Sequence, residues 1–308
     1  MNRITSQNST PPSPVIFGEM LFDRFADGSA VLGGAAFNVA WHLKGFDLEP
    51  LLISAVGNDP AGEQALAAMR QWGMNCRGIQ TVTSSPTGSV NVSLTNDEPQ
   101  FEIVENQAYD FIDDQQAQQA ITSLPCPSLL YHGTLGIRHA VSYAALNQLR
   151  SNLTLPFYFD INLRPPWYCE GVIEEALQQA SWLKVNEHEF QQLRHLLKLS
   201  DDDAQAALAL QARYKLKSLL ITQGAAGASG ITAEGVIKQG SDQVATIVDT
   251  VGAGDVFSAV VIYGLSVGWQ WPEIIKRATA FASAICGERG GVFKSKQDYD
   301  YFLQQWQA

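Results

Sequence analysis

Short apolar runs alternate with longer amphipathic ones along most of the chain. Val15-Ile-Phe17, Leu51 to Val56, Leu129-Leu-Tyr-His132, Phe157 to Asp160, Trp182 to Val185 and Ser218 to Thr222 are strand-length runs. Asn38 to Lys44, Ala61 to Trp72, Ala140 to Arg150, Glu170 to Gln179, Glu187 to Lys198 and Asp203 to Tyr214 repeat their apolar positions at helical spacing. This alternation predicts βα units on a mostly parallel sheet flanked by helices, a doubly wound α/β fold. Almost every strand is followed by Gly, Asn, Asp or Pro at its C-terminal end, where open α/β sheets place their ligand sites.

Two stretches break the pattern. Phe17 to Val31 and Thr87 to Asn106 carry period-2 alternation, the second as Ser89-Val-Asn-Val-Ser-Leu94 and Phe101-Glu-Ile-Val-Glu105 around the turn Thr95-Asn-Asp-Glu-Pro99. Both read as hairpins, and antiparallel strands inserted into a βα series fit a small sheet over one end of the core, a lid from about 17–31 and 87–106. Asp255 to Gly268 and Trp271 to Gly287 read as two helices rich in small residues. Residues 1–14, polar and Pro-rich, read as a frayed tail, leaving 15–308 as one domain.

Composition narrows the chemistry. Of 308 residues, 46% are hydrophobic and 17% charged, enough for a large core. Lys and Arg number 20 against 31 Asp and Glu, a net charge of −11 with no dense basic cluster, so no nucleic-acid partner is expected. A small anion bound by backbone amides stays compatible with that charge. Cys76, Cys126, Cys169 and Cys286 lie too far apart for a CxxC pair or metal cluster, and no apolar stretch approaches the roughly 18 residues of a membrane span. A cytoplasmic protein with reduced thiols and no membrane contact, monomeric or homodimeric, is expected.

The sharpest segment is Asp249-Thr-Val-Gly252-Ala253-Gly254-Asp255, set between a strand end and an apolar helix. Glycines let the backbone turn and aim successive amides at one point, and the helix adds its positive N-terminal end. Asp255 beside such an anion hole is repulsive unless it accepts a proton from the group that attacks the anion. As a plain first-turn acid it would simply favour the helix dipole.

That segment resembles the Asp-Thr-x-Gly-Ala-Gly-Asp signature of ribokinase-like (PfkB-type) carbohydrate kinases, and the similarity runs from about Val15 to Gly291. The resemblance implies a ribokinase-like α/β fold with a β-sheet lid and an ATP-dependent transfer that uses Mg²⁺. Gly18-Glu19-Met-Leu-Phe-Asp23 and Gly33-Gly34-Ala-Ala-Phe-Asn38 stand where relatives bind sugar hydroxyls, implicating Asp23, Gly34, whose side chain would occupy sugar space, and Asn38. Asp160-Ile-Asn162-Leu-Arg164 resembles a segment common in fructokinase-like members; Arg164 suits a phosphate or sugar oxygens, with a structural salt bridge as its competitor. Asn186 and Glu189 match the Asn-x-x-Glu region, the first on the nucleotide side and the second organising Mg²⁺ through water. Thr222, Gly224 and Gly227 resemble the turn beneath ATP, and Ala282 to Gly291 supply the far wall for adenine. Asp249 is a K⁺ candidate, although the tail Gly290 to Ser295 departs from the family pattern. No P-loop is present.

The resemblance favours fructose, phosphorylated to fructose 6-phosphate, with Gly252, Ala253 and Gly254 holding the moving charge and Asp255, at an ordinary carboxylate pKa, as base. Glu105 stands where many fructokinases carry an Arg. A 2-keto-3-deoxygluconate kinase, another sugar or nucleoside kinase of the family, and a catalytically silent sugar-binding protein remain as alternatives.

Overall fold

The computed structural model describes residues 11–95, 98–241, 251–287 and 290–307. The chain opens with β1 (Ser13–Phe17), β2 (Leu21–Phe25), β3 (Ala30–Gly33), α1 (Ala35–Gly45), β4 (Leu51–Gly57), α2 (Pro60–Gln71) and β5 (Ile79–Val82). Next come β6 (Gly88–Thr95), β7 (Glu98–Ile103), α3 (Asp114–Thr122), β8 (Pro127–His132), α4 (Ala140–Asn152), β9 (Phe157–Asp160) and α5 (Glu170–Gln179). It closes with β10 (Trp182–Asn186), α6 (Glu187–Leu196), α7 (Asp203–Tyr214), β11 (Ser218–Thr222), β12 (Ala228–Thr232), β13 (Gly235–Gln239), α8 (Ala253–Val267), α9 (Trp271–Ile285) and α10 (Lys296–Gln307).

The large sheet has the order β13-β12-β11-β10-β9-β8-β1-β4-β5, parallel from β11 through β5 and antiparallel at β12 and β13. Alternate strand residues feed opposite faces. Ile16, Leu52, Tyr131, Tyr158 and Leu220 pack with α1, α8, α9 and α10, while Phe17, Ile53 and Leu130 meet α4 and Phe159, Leu183 and Leu219 meet α5, α6 and α7. The sheet is therefore covered on both sides, which is why its central strands are mostly apolar on both faces. From β1 the chain winds outward in both directions, and a cleft opens over the carboxyl ends of the strands.

The second sheet has the order β3-β2-β6-β7. Both hairpins anticipated from the alternation form, and they join side by side through a parallel β2–β6 pairing. Leu21, Val90 and Val92 fasten this sheet to Tyr109 and Leu135. Phe17 belongs to the central strand, not to the lid. The tail reading also needs correction at its end: Ser13 and Pro14 open β1, with Ser13 N–H donating to Cys126 O at 2.8 Å. A bulge between Ser13 and Val15 places Pro14 where no ladder donor is needed. No disulfide joins the four cysteines, and among the described residues no helix is long and apolar enough to cross a membrane.

Candidate active site

The cleft, a cavity of about 1160 Å³, runs beneath the small sheet and along the strand ends. Two helix N-termini face it, each preceded by a glycine with positive φ. Gly34 (φ 104) precedes α1 and Gly252 (φ 81) precedes α8. At Gly252 a Cβ would overlap the Gly291 backbone, so no larger residue fits that turn. No described side chain caps α8, and the amides of Ala253, Gly254 and Asp255 form its free first turn.

Asp255, in that first turn, is half-buried and accepts a hydrogen bond from Asn38 Nδ2 at 2.8 Å. Burial, with the Asp160 charge, pushes its pKa up to about 6 against the opposing pull of Asn38, Lys184 and Arg164. That corrects the expectation of an ordinary carboxylate. It still leaves Asp255 mainly ionised at neutral pH.

At the sugar end of the family pattern, Asp23 on β2 and Asn38 on α1 approach each other over Gly33, where a Cβ would stand 3.6 Å from Asp23 Oδ2 and 3.8 Å from Asn38 Oδ1. Gly34 also lines the cleft, but its bare Cα turns toward Glu19, whose carbonyl oxygen would lie 2.8 Å from a Cβ. Its smallness therefore serves the close packing of α1 on the Glu19 backbone, not sugar space as expected. Asn162 (φ 40) and the exposed Arg164 complete this end, with Arg164 donating to its neighbour Leu163 O at 3.2 Å and forming no salt bridge among the described residues.

Asp160, expected among the sugar-binding residues, also requires correction. It is fully buried behind the cleft wall, where its carboxylate accepts from Lys184 Nζ at 3.0 Å and Ser258 Oγ at 2.7 Å. The register places Asp160 directly opposite Lys184 on the neighbouring strand, on the face toward α8. Lys184 lines the cleft in its place. Burial works against its charge, but Asp160 and Glu189 outweigh it and hold the lysine above its ordinary pKa.

The Asn-x-x-Glu element is first a capping box: Asn186 Oδ1 accepts from Glu189 N–H and Glu189 Oε2 accepts from Asn186 N–H, both at 2.8 Å. Glu189 Oε1 accepts from Leu163 N–H at 2.9 Å, fixing the loop that carries Asn162 and Arg164. With a backbone donor on each oxygen, Glu189 suits a metal's water shell better than direct ligation. Among the described residues no group of three or more His, Cys, Asp or Glu could hold a metal ion. A Mg²⁺ ion here would depend on phosphates and water for most of its ligands.

At the other end, Thr222, Gly224 and Gly227 line one wall, and Ala282 and Ser283 of α9 with its C-cap Cys286 the other. Asp249, the potassium candidate, lies outside the described residues. Glu19 was visible in the sequence only as a motif letter. It is buried in the cleft wall and Oε1 accepts from Ala35 N–H at 2.9 Å, closing the start of α1. Burial, opposed by those backbone donors and reinforced by Asp255, pushes its pKa up to about 7. Behind the α8 turn, Gly291 is pinned in place. His42, kept neutral by burial with a pKa lowered to about 4, donates from Nε2 to Gly291 O and accepts the Tyr299 hydroxyl at Nδ1, each at 2.8 Å. Trp41 Nε1 donates to Phe293 O at 2.9 Å.

A doubly wound sheet, a small second sheet, and a glycine-led helix turn carrying a half-buried aspartate in the cleft fit the carbohydrate kinase class. The chain belongs to the pfkB family carbohydrate kinases, whose model matches residues 19–298. It is 26% identical to a fructokinase from Rhizobium leguminosarum bv. trifolii over 83% of this chain and 76% of that protein. Its fold matches that of a fructokinase with bound ATP from Xylella fastidiosa (TM-score 0.81, 18% identity, 96% of this chain and 99% of that one). It matches as well an aminoimidazole riboside kinase from Salmonella enterica (TM-score 0.79, 21% identity, 94% and 99%).

Proposed function

We propose that this protein is an ATP-dependent fructokinase forming fructose 6-phosphate. The observation that carries the reading is Asp255: a carboxylate held by Asn38 at 2.8 Å in the first turn of a helix that no described side chain caps, between the polar end of the cleft and the small-residue end. Asp23, Asn38, Asn162 and Arg164 offer the sugar both acceptors and donors, and the named fructokinase relative supports a ketohexose.

In the transfer, a primary hydroxyl oxygen attacks the γ-phosphorus and the bond to the β,γ-bridging oxygen breaks. The electron pair leaves with ADP and the hydroxyl proton passes to Asp255. The amides of Ala253, Gly254 and Asp255 stabilise the charge in transit. Mg²⁺, when bound, neutralises the phosphate oxygens, and Glu189 and Asn186 stand where its water shell and the nucleotide would be held. The sheet of β2, β3, β6 and β7 covers the sugar end and excludes water as a competing acceptor.

Coupled ADP detection with fructose, ribose, 2-keto-3-deoxygluconate and nucleosides, ranked by kcat/KM, tests the substrate; preference for any other compound rejects fructose. Asp255→Asn should cost at least about a hundredfold in kcat. A wild type inactive on the whole panel would favour a silent sugar-binding protein.

A further inference from the structure

Lys184 belongs to none of the motifs that pointed to the site. It stands in the apolar strand β10, its side chain is 6% exposed, and it lines the cleft. Its ammonium is held beside the first turn of α8: a Cβ on Gly254 would sit 2.8 Å from Nζ. Any side chain at 254 would displace the lysine, so the second glycine of Gly-Ala-Gly makes room for a cation. Of the three ammonium donors, one is spent on Asp160 at 3.0 Å. Asp160 itself does not depend on that bond alone, since Ser258 and Tyr131 hydroxyls also reach it, at 2.7 and 3.4 Å.

The charge count asks for such a cation. Four carboxylates line the cleft among the described residues, Glu19, Asp23, Glu189 and Asp255, against Arg164 and Lys184. A nucleoside triphosphate adds further negative charge, and the net −11 of the chain offers no general relief. Arg164 belongs to the loop after β9, whereas Lys184 adjoins the α8 amides. A cation beside a helix N-terminus, in a site that excludes water, is the arrangement that stabilises a phosphoryl group in flight.

We infer that Lys184 is a catalytic residue whose ammonium contacts the phosphoryl group during transfer, acting together with the free amides of α8. The inference rests on phosphoryl transfer at this cleft. The lysine moves no proton: the hydroxyl proton goes to Asp255 and the bond electrons to ADP, while the ammonium offsets the oxygens' charge. The competing role is neutralising Asp160, and a paired set of variants separates the two.

Lys184→Met leaves Asp160 buried without its cation and is expected to lose stability as well as activity. Lys184→Met with Asp160→Asn removes both charges and keeps the acceptor for Ser258, so its Tm should return close to the wild-type value. Its kcat should stay down by about a hundredfold. Calorimetric titration with Mg-ADP and with a non-hydrolysable β,γ-imido ATP analogue should show ADP binding within about threefold of wild type. Any preference for the triphosphate should fall at least about tenfold. A double variant that recovers kcat to within about tenfold of wild type, or keeps the wild-type triphosphate-to-diphosphate ratio, would overturn the inference while leaving the kinase reading intact. A wild type that binds neither nucleotide would overturn the kinase reading itself.

Discussion

Helices α1 and α8 begin alike and end up with opposite chemistry. Each follows a glycine in a positive-φ conformation, each lacks a capping side chain on that glycine, and each points its first amides at the same cleft. At α1 the chain supplies its own anion: Glu19, sixteen residues upstream, accepts from Ala35 N–H. At α8 no described side chain takes that place, and a lysine stands beside the turn. The lesson is that a helix N-terminus alone does not define an anion site. What decides is whether the chain brings a carboxylate or a cation to it from elsewhere in the fold. Even where the carboxylate is supplied, burial outweighs the amides and leaves Glu19 near neutrality, with its pKa about 7.

Breaking the open end should have the larger effect. Gly252→Ala forces a side chain into the Gly291 backbone and requires an alanine at φ 81, so kcat/KM should fall by at least about a hundredfold with a lowered Tm. Steady-state kinetics alongside thermal unfolding will check it, and activity near wild type would remove the turn from the mechanism. Gly34→Ala strikes the filled end. A Cβ 2.8 Å from Glu19 O should cost roughly 1–3 kcal/mol of stability and raise the sugar KM by about tenfold, with the KM for ATP little changed.

The two carboxylates sharpen the comparison through pH. The folded-state pKa of Glu19, about 7, lies above the ordinary 4.5 of a glutamate, so the native state binds the extra proton. Stability contributed by this group is therefore present at low pH and falls as pH rises from about 4.5 to about 7. Glu19→Gln removes that slope: its Tm should exceed wild type at pH 8 and match it at pH 5. Asp255, raised to about 6, should impose an acid limb on kcat/KM below that pH, and Asp255→Asn should gain stability at pH 8 while losing activity. If Glu19→Gln shifts the limb, the limb belongs to Glu19.

Legibility followed sequence distance. Helices α5 and α7 and strand β11 run over the residues their periodicity predicts, because each is a local apolar pattern packed on one sheet. Strands β12 and β13 escaped notice since Ala228 to Thr232 is mostly small and Gly235 to Gln239 mostly exposed, with neither carrying a strong alternation. Helix α10 and the Gln-rich α3 are polar enough to pass for loops. In the cleft, residues within recognisable motifs could be named, but their neighbours could not. Nothing in Trp182-Leu-Lys-Val-Asn186 says that a strand will carry its lysine under Gly254, and nothing around Asp160 says that its oxygens will be consumed behind the wall. The lone charge in an otherwise apolar strand was the available clue, since a buried lysine needs a partner.

The pinning of Gly291 has a consequence for how the chain assembles. The turn that carries Gly252 leans on Gly291, which hangs from His42, which in turn is aligned by Tyr299, a contact spanning 257 residues. Such a long closure cannot form until nearly the whole described chain is present. A nascent polypeptide that has already built β1 through α9 still lacks the backing for its Gly252 turn. The support of that turn therefore arrives last, with α10.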